Sequence, residues 1–332
     1  MKKSLGLLSI VALLFLGACT PKKTYTPTVI DGFAQGGTYH IVIRDSVRAS
    51  VTEEIDSILT AIDFSLSVYN PESLISRINR NETDSLDGWI ADCIRIAEGL
   101  SRESDGLYDI TVKPLTAAYG FAGADSTQLP NVDSLLQYVG YEKISIENGR
   151  LIKSASGVQI DLNSIAQGYT VDVIVGHFDA MDLTNYLIEV GGEIFSRGLN
   201  SQDEPWVVGI DKPFEGNYVP GADVQVKIHL TGRGLATSGN YRKFYTDDSG
   251  RKIVHTINPK TGQPEVSNLL SATVVAPDAT LADIYGTYMM VAGLDGAKAF
   301  LSNHPEVDAY LIYSDDRGSY QVYYSQGLEI KR

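Results

Sequence analysis

The chain has 332 residues, 43% hydrophobic and 20% charged, which is globular composition with enough apolar material for one large domain or two closely packed ones. Lys and Arg number 27 against 41 Asp and Glu, so 27 − 41 leaves a net charge of −14. A chain so acidic, with no basic cluster beyond its first residues, is excluded as a nucleic-acid binder.

Met1-Lys2-Lys3 is followed by an apolar run over residues 5–16 and then Leu16-Gly17-Ala18-Cys19. A basic start and an apolar stretch of about a dozen residues read as a signal peptide over 1–18, since a spanning helix needs roughly 20. The Leu-Gly-Ala-Cys ending resembles the lipobox of bacterial lipoproteins, which makes Cys19 the acylated (palmitate-bearing) first residue of the mature protein. Residues 19–28, rich in Pro, Lys and Thr, then read as a tether and 29–332 as the domain, held extracytoplasmically at a membrane surface by its lipid. With Cys19 used for lipid, Cys93 is the only remaining thiol; it falls on the apolar stripe of a helical pattern and reads as a buried small hydrophobe.

Taken in order, residues 38–43 read as a strand, and Ser50-Val51-Thr52-Glu53 as a capping box opening a helix with Ile55, Ile58, Leu59 and Ile62 on one face. Further helices are expected over 86–101 and 132–139. Strands are expected over 144–146, 158–162, 186–190, 206–210, 224–230, 269–276, 309–313 and 320–324, with helices after Ser164 and after Asp278. Most strands are joined by short turns, which makes the fold class α+β.

Several stretches carry polar groups suited to chemistry. Gly36-Gly37-Thr38 allows either a tight turn or close approach of backbone to a ligand. Ser67-Val68-Tyr69 presents an aromatic ring able to stack. In Gly106-Leu107-Tyr108-Asp109-Ile110-Thr111-Val112-Lys113-Pro114-Leu115, Asp109 and Lys113 flank a short extended piece and can pair with each other. Asp161-Leu162-Asn163-Ser164-Ile165-Ala166-Gln167-Gly168-Tyr169 is a strand-to-helix junction, with Asn163 or Ser164 as the expected cap and a free carbonyl able to ligate a cation. Val190-Gly191-Gly192-Glu193 and Thr237-Ser238-Gly239-Asn240-Tyr241 are glycine-bearing segments attached to strands. His255 opens the turn His255-Thr256-Ile257-Asn258-Pro259, whereas His40, His177, His229 and His304 read as structural or solvated, His177 as following a helix. Asp283 and Thr287 lie four apart on one helical face. A carboxylate, a hydroxyl and a nearby imidazole suit a hard cation and an activated nucleophile.

Together and in order, these segments resemble the ApbE family, the bacterial FAD:protein FMN transferases, across nearly the whole mature chain. The resemblance implies the ApbE fold with a T-fold-like part, two closely packed lobes and an FAD cleft between them. It implies transfer of FMN from FAD to a Thr or Ser hydroxyl of a partner protein with release of AMP. Mg2+ would be held by Asp283, Thr287 and the carbonyl at Ser164, and His255 would take the acceptor's proton. Gly36, Tyr69, Leu107, Tyr108, Asp109, Asp161, Gln167 and the backbone of Ile257 match positions around FAD. The implied acceptors are subunits of respiratory membrane complexes, such as sodium-pumping quinone reductases. Gly36 stands where the family usually has Met, and Tyr119 where it usually has Trp. Two rival readings keep the same pocket: an FAD pyrophosphatase using water in place of the acceptor, and a non-enzymatic flavin-binding lipoprotein.

Overall fold

A computed structural model describes residues 25–121, 131–214, 221–240, 244–247, 250 and 252–331. Cys19, the signal peptide and most of the tether lie outside these residues. The described chain begins at Tyr25, whose amide donates to the Ser201 carbonyl and whose ring lies under the Arg44 guanidinium.

The domain is built on one eight-stranded, wholly antiparallel sheet. Strands β1 (Thr28–Ala34) and β2 (Gly37–Ile43) form a hairpin turned at Gln35 and Gly36, and helix α1 (Val51–Leu66) follows. Then come α2 (Leu74–Asn79), α3 (Gly88–Glu103), a 3-10 turn at Ile110–Val112, α4 (Lys113–Ala118) and α5 (Val132–Leu136). A small hairpin of β3 (Ile144–Glu147) and β4 (Arg150–Lys153) precedes α6 (Ala166–Asp179), β5 (Tyr186–Val190) and β6 (Glu193–Arg197). The ribbon β7 (Trp206–Asp211) and β8 (Val224–Leu230) leads to β9 (Arg233–Gly239) and to the short hairpin β10 (Phe244–Thr246) and β11 (Lys252–Val254). The chain closes with β12 (Leu269–Ala276), α7 (Ala279–Asn303, bent at Gly293), β13 (Asp308–Ser314) and β14 (Tyr320–Tyr324). The sheet order is β1-β2-β5-β6-β9-β12-β13-β14. The α+β expectation holds, with short turns joining β1 to β2, β5 to β6 and β13 to β14 and longer excursions joining the other antiparallel neighbours.

Burial explains the layering. Helices α1, α6 and α7 cover one face of the sheet, burying Ile41, Ile43, Ile188 and Val190 at one end and Ala272, Val274 and Leu311 at the other. The β7–β8 ribbon covers part of the second face over Leu235, Val275, Tyr310 and Ile312. Strand β12 is therefore buried on both sides, which is why it reads as a continuous apolar run rather than an alternation. A separate small core of Leu115, Tyr119, Val139, Ile253 and Ile257 ties α4, α5 and the β10–β11 hairpin into a second lobe.

Local readings differ from the structure at several points. Residues 158–162 alternate in burial as a strand would, with Val158, Ile160 and Leu162 fully buried, yet they pair with no strand. The Asn79 side chain serves as their partner, accepting from Ile160 N–H at 2.7 Å and donating to its carbonyl at 2.8 Å. The capping box does not form. Ser50 already has helical φ and ψ, and its hydroxyl donates to Glu54 Oε1 at 2.7 Å. Neither Asn163 nor Ser164 caps α6, whose cap position is Ile165 with no side-chain bond. The Asp109–Lys113 piece is a helical turn rather than extended, because Asp109 accepts from the Thr111 amide and hydroxyl at 2.8 and 2.7 Å and so caps it. His177 sits inside α6, paired with Glu54, and α5 ends at Leu136 instead of 139.

The crossing of α6 over α7 depends on one missing side chain. A Cβ at Gly168 would lie 2.5 Å from the Ala279 carbonyl oxygen and 2.9 Å from Asp283 Cβ. Gly168→Ala must therefore push the helices apart, at about 1–3 kcal/mol, the usual cost of overpacking a close contact. We expect a lowered thermal midpoint for Gly168→Ala, whereas Gly176→Ala, in open space on the same helix, should hold or raise it.

Candidate active site

Where the two lobes meet, a cleft of about 940 Å³ of empty space opens to solvent. One wall is α7, contributing Thr287 and, one turn on, Val291. The facing wall is the 3-10 turn and α4 with Leu107, Tyr108, Asp109, Val112 and Thr116. His255, Thr256, Ile257 and Pro259 follow β11 along the second lobe, and Asp161, Asn163 and Ser164 close the end before α6. Seven of the expected residues besides the metal set thus converge here: Tyr69, Leu107, Tyr108, Asp109, Asp161, Ile257 and His255. Ser164 and Thr287 line the same cleft.

Gly36 and Gln167 do not line it. They border an adjoining compartment with Gln35, Gly37, Ser67 and Gly191, which shares Tyr69 and Asn163 with the cleft. The divider is hydrogen-bonded: Asn163 Nδ2 donates to the Tyr69 hydroxyl at 3.2 Å, and that hydroxyl donates to the Phe121 carbonyl at 3.4 Å. Gly191 has φ of +68°, and a Cβ there would sit 2.0 Å from Gln167 Nε2. The Gly191-Gly192 turn between β5 and β6 exists in this form because the Gln167 carboxamide occupies that space.

Asp161 is held rather than free. It accepts from the Thr116 hydroxyl at 2.7 Å and from the Asn163 amide at 3.1 Å. Thr116, Phe121, Ser238 and Val291 also line the cleft and were not singled out as site residues from sequence. Two carried a signal: Val291 continues the Asp283, Thr287 spacing by one more turn, and Pro114 near the start of α4 marks a helix whose next turn presents Thr116. His255 lies edge-on to Phe121, ring centroids 6.3 Å apart.

Asp283 lies below the cleft surface, 6% exposed. Burial pushes its carboxyl up to about 7, against a single backbone hydrogen bond from Gly168 N–H at 3.2 Å to Oδ2. Gly168 lies in the first turn of α6, where an N–H has no acceptor within the helix, and it turns to the carboxylate instead; Ser164, just before the helix, lines the cleft. The Ser164 hydroxyl meets the buried Tyr108 hydroxyl at 3.0 Å. A buried carboxylate with one long hydrogen bond, the oxygens of Ser164 and the Thr287 hydroxyl offer an all-oxygen donor set. It fits a hard divalent cation that keeps positions for water or substrate phosphate. Among the described residues no three His, Cys, Asp or Glu side chains gather into a group that could hold a metal ion.

The structure superposes on the flavin transferase ApbE from Vibrio cholerae with a TM-score of 0.80 and 28% identity, covering 91% of this chain and 97% of that one. It matches the apo flavinyl transferase ApbE of Pseudomonas stutzeri with a TM-score of 0.80 and 27% identity, over 91% and 96%. In sequence the chain is 31% identical to the FAD:protein FMN transferase of Haemophilus influenzae, over 96% of this chain and 95% of that protein. It is 33% identical to the FAD:protein FMN transferase of Escherichia coli K12, over 87% of each. The chain belongs to the ApbE family, whose model matches residues 35–311.

The pH response of stability follows from two carboxyls. Burial raises Asp283 to about 7 and Asp172 to about 6, both from 3.8. The folded state therefore binds these protons more tightly than the unfolded chain, and stability is gained as pH falls through 7 and 6. We expect unfolding in EDTA to show the protein more stable near pH 5.5 than near pH 7.5 by roughly 2 kcal/mol, with most of that difference lost in Asp283→Asn. Below about pH 3.8, where the aspartates of the unfolded chain are protonated too, the trend should reverse, because Glu54, bonded to Arg48, is held at about 2 and must be protonated.

Proposed function

We propose that this protein transfers FMN from FAD to a Thr or Ser hydroxyl of a partner protein, releasing AMP. The carrying observation is the convergence of His255, Thr287 and Ser164 on one cleft, in a chain that shares sequence and fold with FAD:protein FMN transferases over nearly its full length. In the reaction the acceptor oxygen bonds the FMN phosphorus, and the bond from that phosphorus to the bridging oxygen breaks. AMP leaves with that oxygen, and the acceptor's proton passes to the His255 imidazole and on to solvent. Asp283, Thr287 and the Ser164 carbonyl would hold Mg2+, which would supply positive charge to offset that of the pyrophosphate and the leaving AMP. Tyr69 and Asn163, between the two compartments, orient the two halves of the dinucleotide. The cleft side chains around His255, including Phe121 and Ile257, keep bulk water from the reacting phosphorus.

The decisive test uses FAD, Mg2+ and the soluble Thr-bearing domain of a sodium-pumping quinone reductase subunit. Mass spectrometry of the acceptor and AMP release are followed together. We expect one FMN per acceptor Thr and matching AMP, reduced about 10²–10⁴-fold in His255→Ala and no longer stimulated by Mg2+ in Asp283→Ala. AMP released equally fast without acceptor, with no mass shift, would make the protein a pyrophosphatase. FAD binding with neither product would make it a carrier.

The lipoprotein reading of Cys19 rests on the sequence. Among the described residues no helix is long and apolar enough to cross a membrane, so attachment falls to the acyl chains. Palmitate labelling of cells should mark the wild-type protein and not Cys19→Ala, and the variant should leave the membrane fraction; unchanged partitioning would remove the anchor.

A further inference from the structure

The end of β9 reaches both sides of the cleft. Ser238, which lines it, packs against α7: a Cβ at Gly286 would lie 2.9 Å from Ser238 Oγ, and the next residue of α7 is Thr287. Asn240 follows β9 directly, and its amide donates to the Leu270 carbonyl of β12 at 3.3 Å, so its backbone belongs to the main sheet. Its side chain turns to the other lobe. Oδ1 accepts from the Thr256 hydroxyl at 2.7 Å, and Nδ2 donates to the Glu265 carbonyl at 3.3 Å. Thr256, the residue after His255, is 9% exposed and lines the cleft with it. Thr256 and Glu265 face each other at the base of a loop. The Glu265 amide donates to the Thr256 carbonyl at 2.8 Å, Ile257 bridges to Pro264, and the Asn258 carbonyl closes the tip by accepting from the Gly262 amide at 2.8 Å. One carboxamide therefore holds both sides of the loop that follows His255. A backbone carbonyl only accepts, so Nδ2 has to face Glu265 and Oδ1 the Thr256 hydroxyl. Asp in this place would lose the donor, and Ala both bonds.

We propose that Asn240 is a positioning residue for the transfer: through the Thr256 hydroxyl it fixes the His255 imidazole relative to Thr287 and Ser164 across the cleft. The inference rests on the transferase reading given above. One strand end is seated against α7 by Ser238 and against the His255 segment by Asn240, so it sets the distance between the base and the residues that face it. Without the Asn240 bonds, the place of His255 depends more heavily on the small core of the second lobe. A shift of about 1 Å at a reacting group costs on the order of 10² in rate. The FAD contacts are spread over Tyr69, Asp109, Asp161 and the adjoining compartment, none of which hangs on this bond, so binding of the dinucleotide and the rate of its chemistry separate.

The test measures the single-turnover rate of transfer to the same quinone reductase acceptor domain, at saturating FAD and Mg2+, because that rate reads the chemical step rather than product release. Asn240→Ala and Thr256→Val should each lower it roughly tenfold or more, while flavin fluorescence titration shows FAD bound as tightly as in wild type. Thr256→Ser, which keeps the hydroxyl, should run near the wild-type rate. The Asn240→Ala/Thr256→Val double variant should fall little below the slower single one, since both changes break the same bond. Should Asn240→Ala fail to fold, the Thr256→Val and Thr256→Ser pair, which differ chiefly in that hydroxyl, carries the comparison. A wild-type rate in Thr256→Val, a rate in Thr256→Ser as low as in Thr256→Val, or FAD affinity falling in step with the rate overturns the positioning role and leaves the transferase reading standing. Failure of the wild type to modify the acceptor while it binds FAD overturns both.

Discussion

The structure turns on the close approach of two helices around one buried carboxylate. Asp283 sits where α6 crosses α7, and only a residue without a side chain, Gly168, lets the helices come near enough for a backbone amide to face it. That amide, in the first turn of α6, has no acceptor within its own helix, so the one contact satisfies it and partly compensates the buried charge. The remaining cost is visible in the carboxyl's rise to about 7.

The rest of the fold fixes that crossing in place. The first turn of α7 is capped twice: Asp278 accepts from Leu281 N–H at 2.7 Å, and Asp172 of α6 accepts from the amides of Ala279 and Thr280 at 3.1 and 2.8 Å. Two carboxylates at one helix start exceed what capping needs, but the second belongs to α6 and so sets the register between the helices. Beneath them, β12 is buried on both faces and anchors α7 against the sheet. Thr287 and Val291 then reach the cleft at fixed heights. The bend at Gly293 brings Phe300, after it, against Tyr285 and Tyr288, before it, with His304 stacked on the Phe300 ring.

The second lobe is held differently. Its core is small, and His255 depends on a three-residue hairpin packed against α4 and α5. The base proposed for the reaction thus stands on the lesser lobe and the cation ligands on the greater one. Their relative position is set across the cleft by contacts such as Tyr69 with Phe121 and Asn163. A substrate that spans both compartments would add to those contacts, and so it would itself help to hold the lobes together.

Much of this was legible in the chain because it depends on local spacing. The period of α1, α3 and α7, the alternation of β8, the burial of Cys93 and the Asp283–Thr287 face are consequences of geometry within a few residues. So was the ordered set of motifs that marks the family. What spacing cannot express is which group satisfies which. Residues 158–162 carry a strand's pattern and form none, since the Asn79 side chain takes the place of a neighbouring strand. Ser50 and Ser164 look like caps, but the Glu54 carboxylate and the Tyr108 hydroxyl engage them instead. Gly36 and Gln167 share motifs with cleft residues yet border another compartment, because Tyr69 and Asn163 come between. The sequence by itself determined the elements, their amphipathic faces and the residue types available for chemistry. Only the tertiary structure decided that Asp283 would be buried against Gly168 and that His255 would face it from a second lobe, because desolvation and long-range hydrogen bonding are properties of the packed chain.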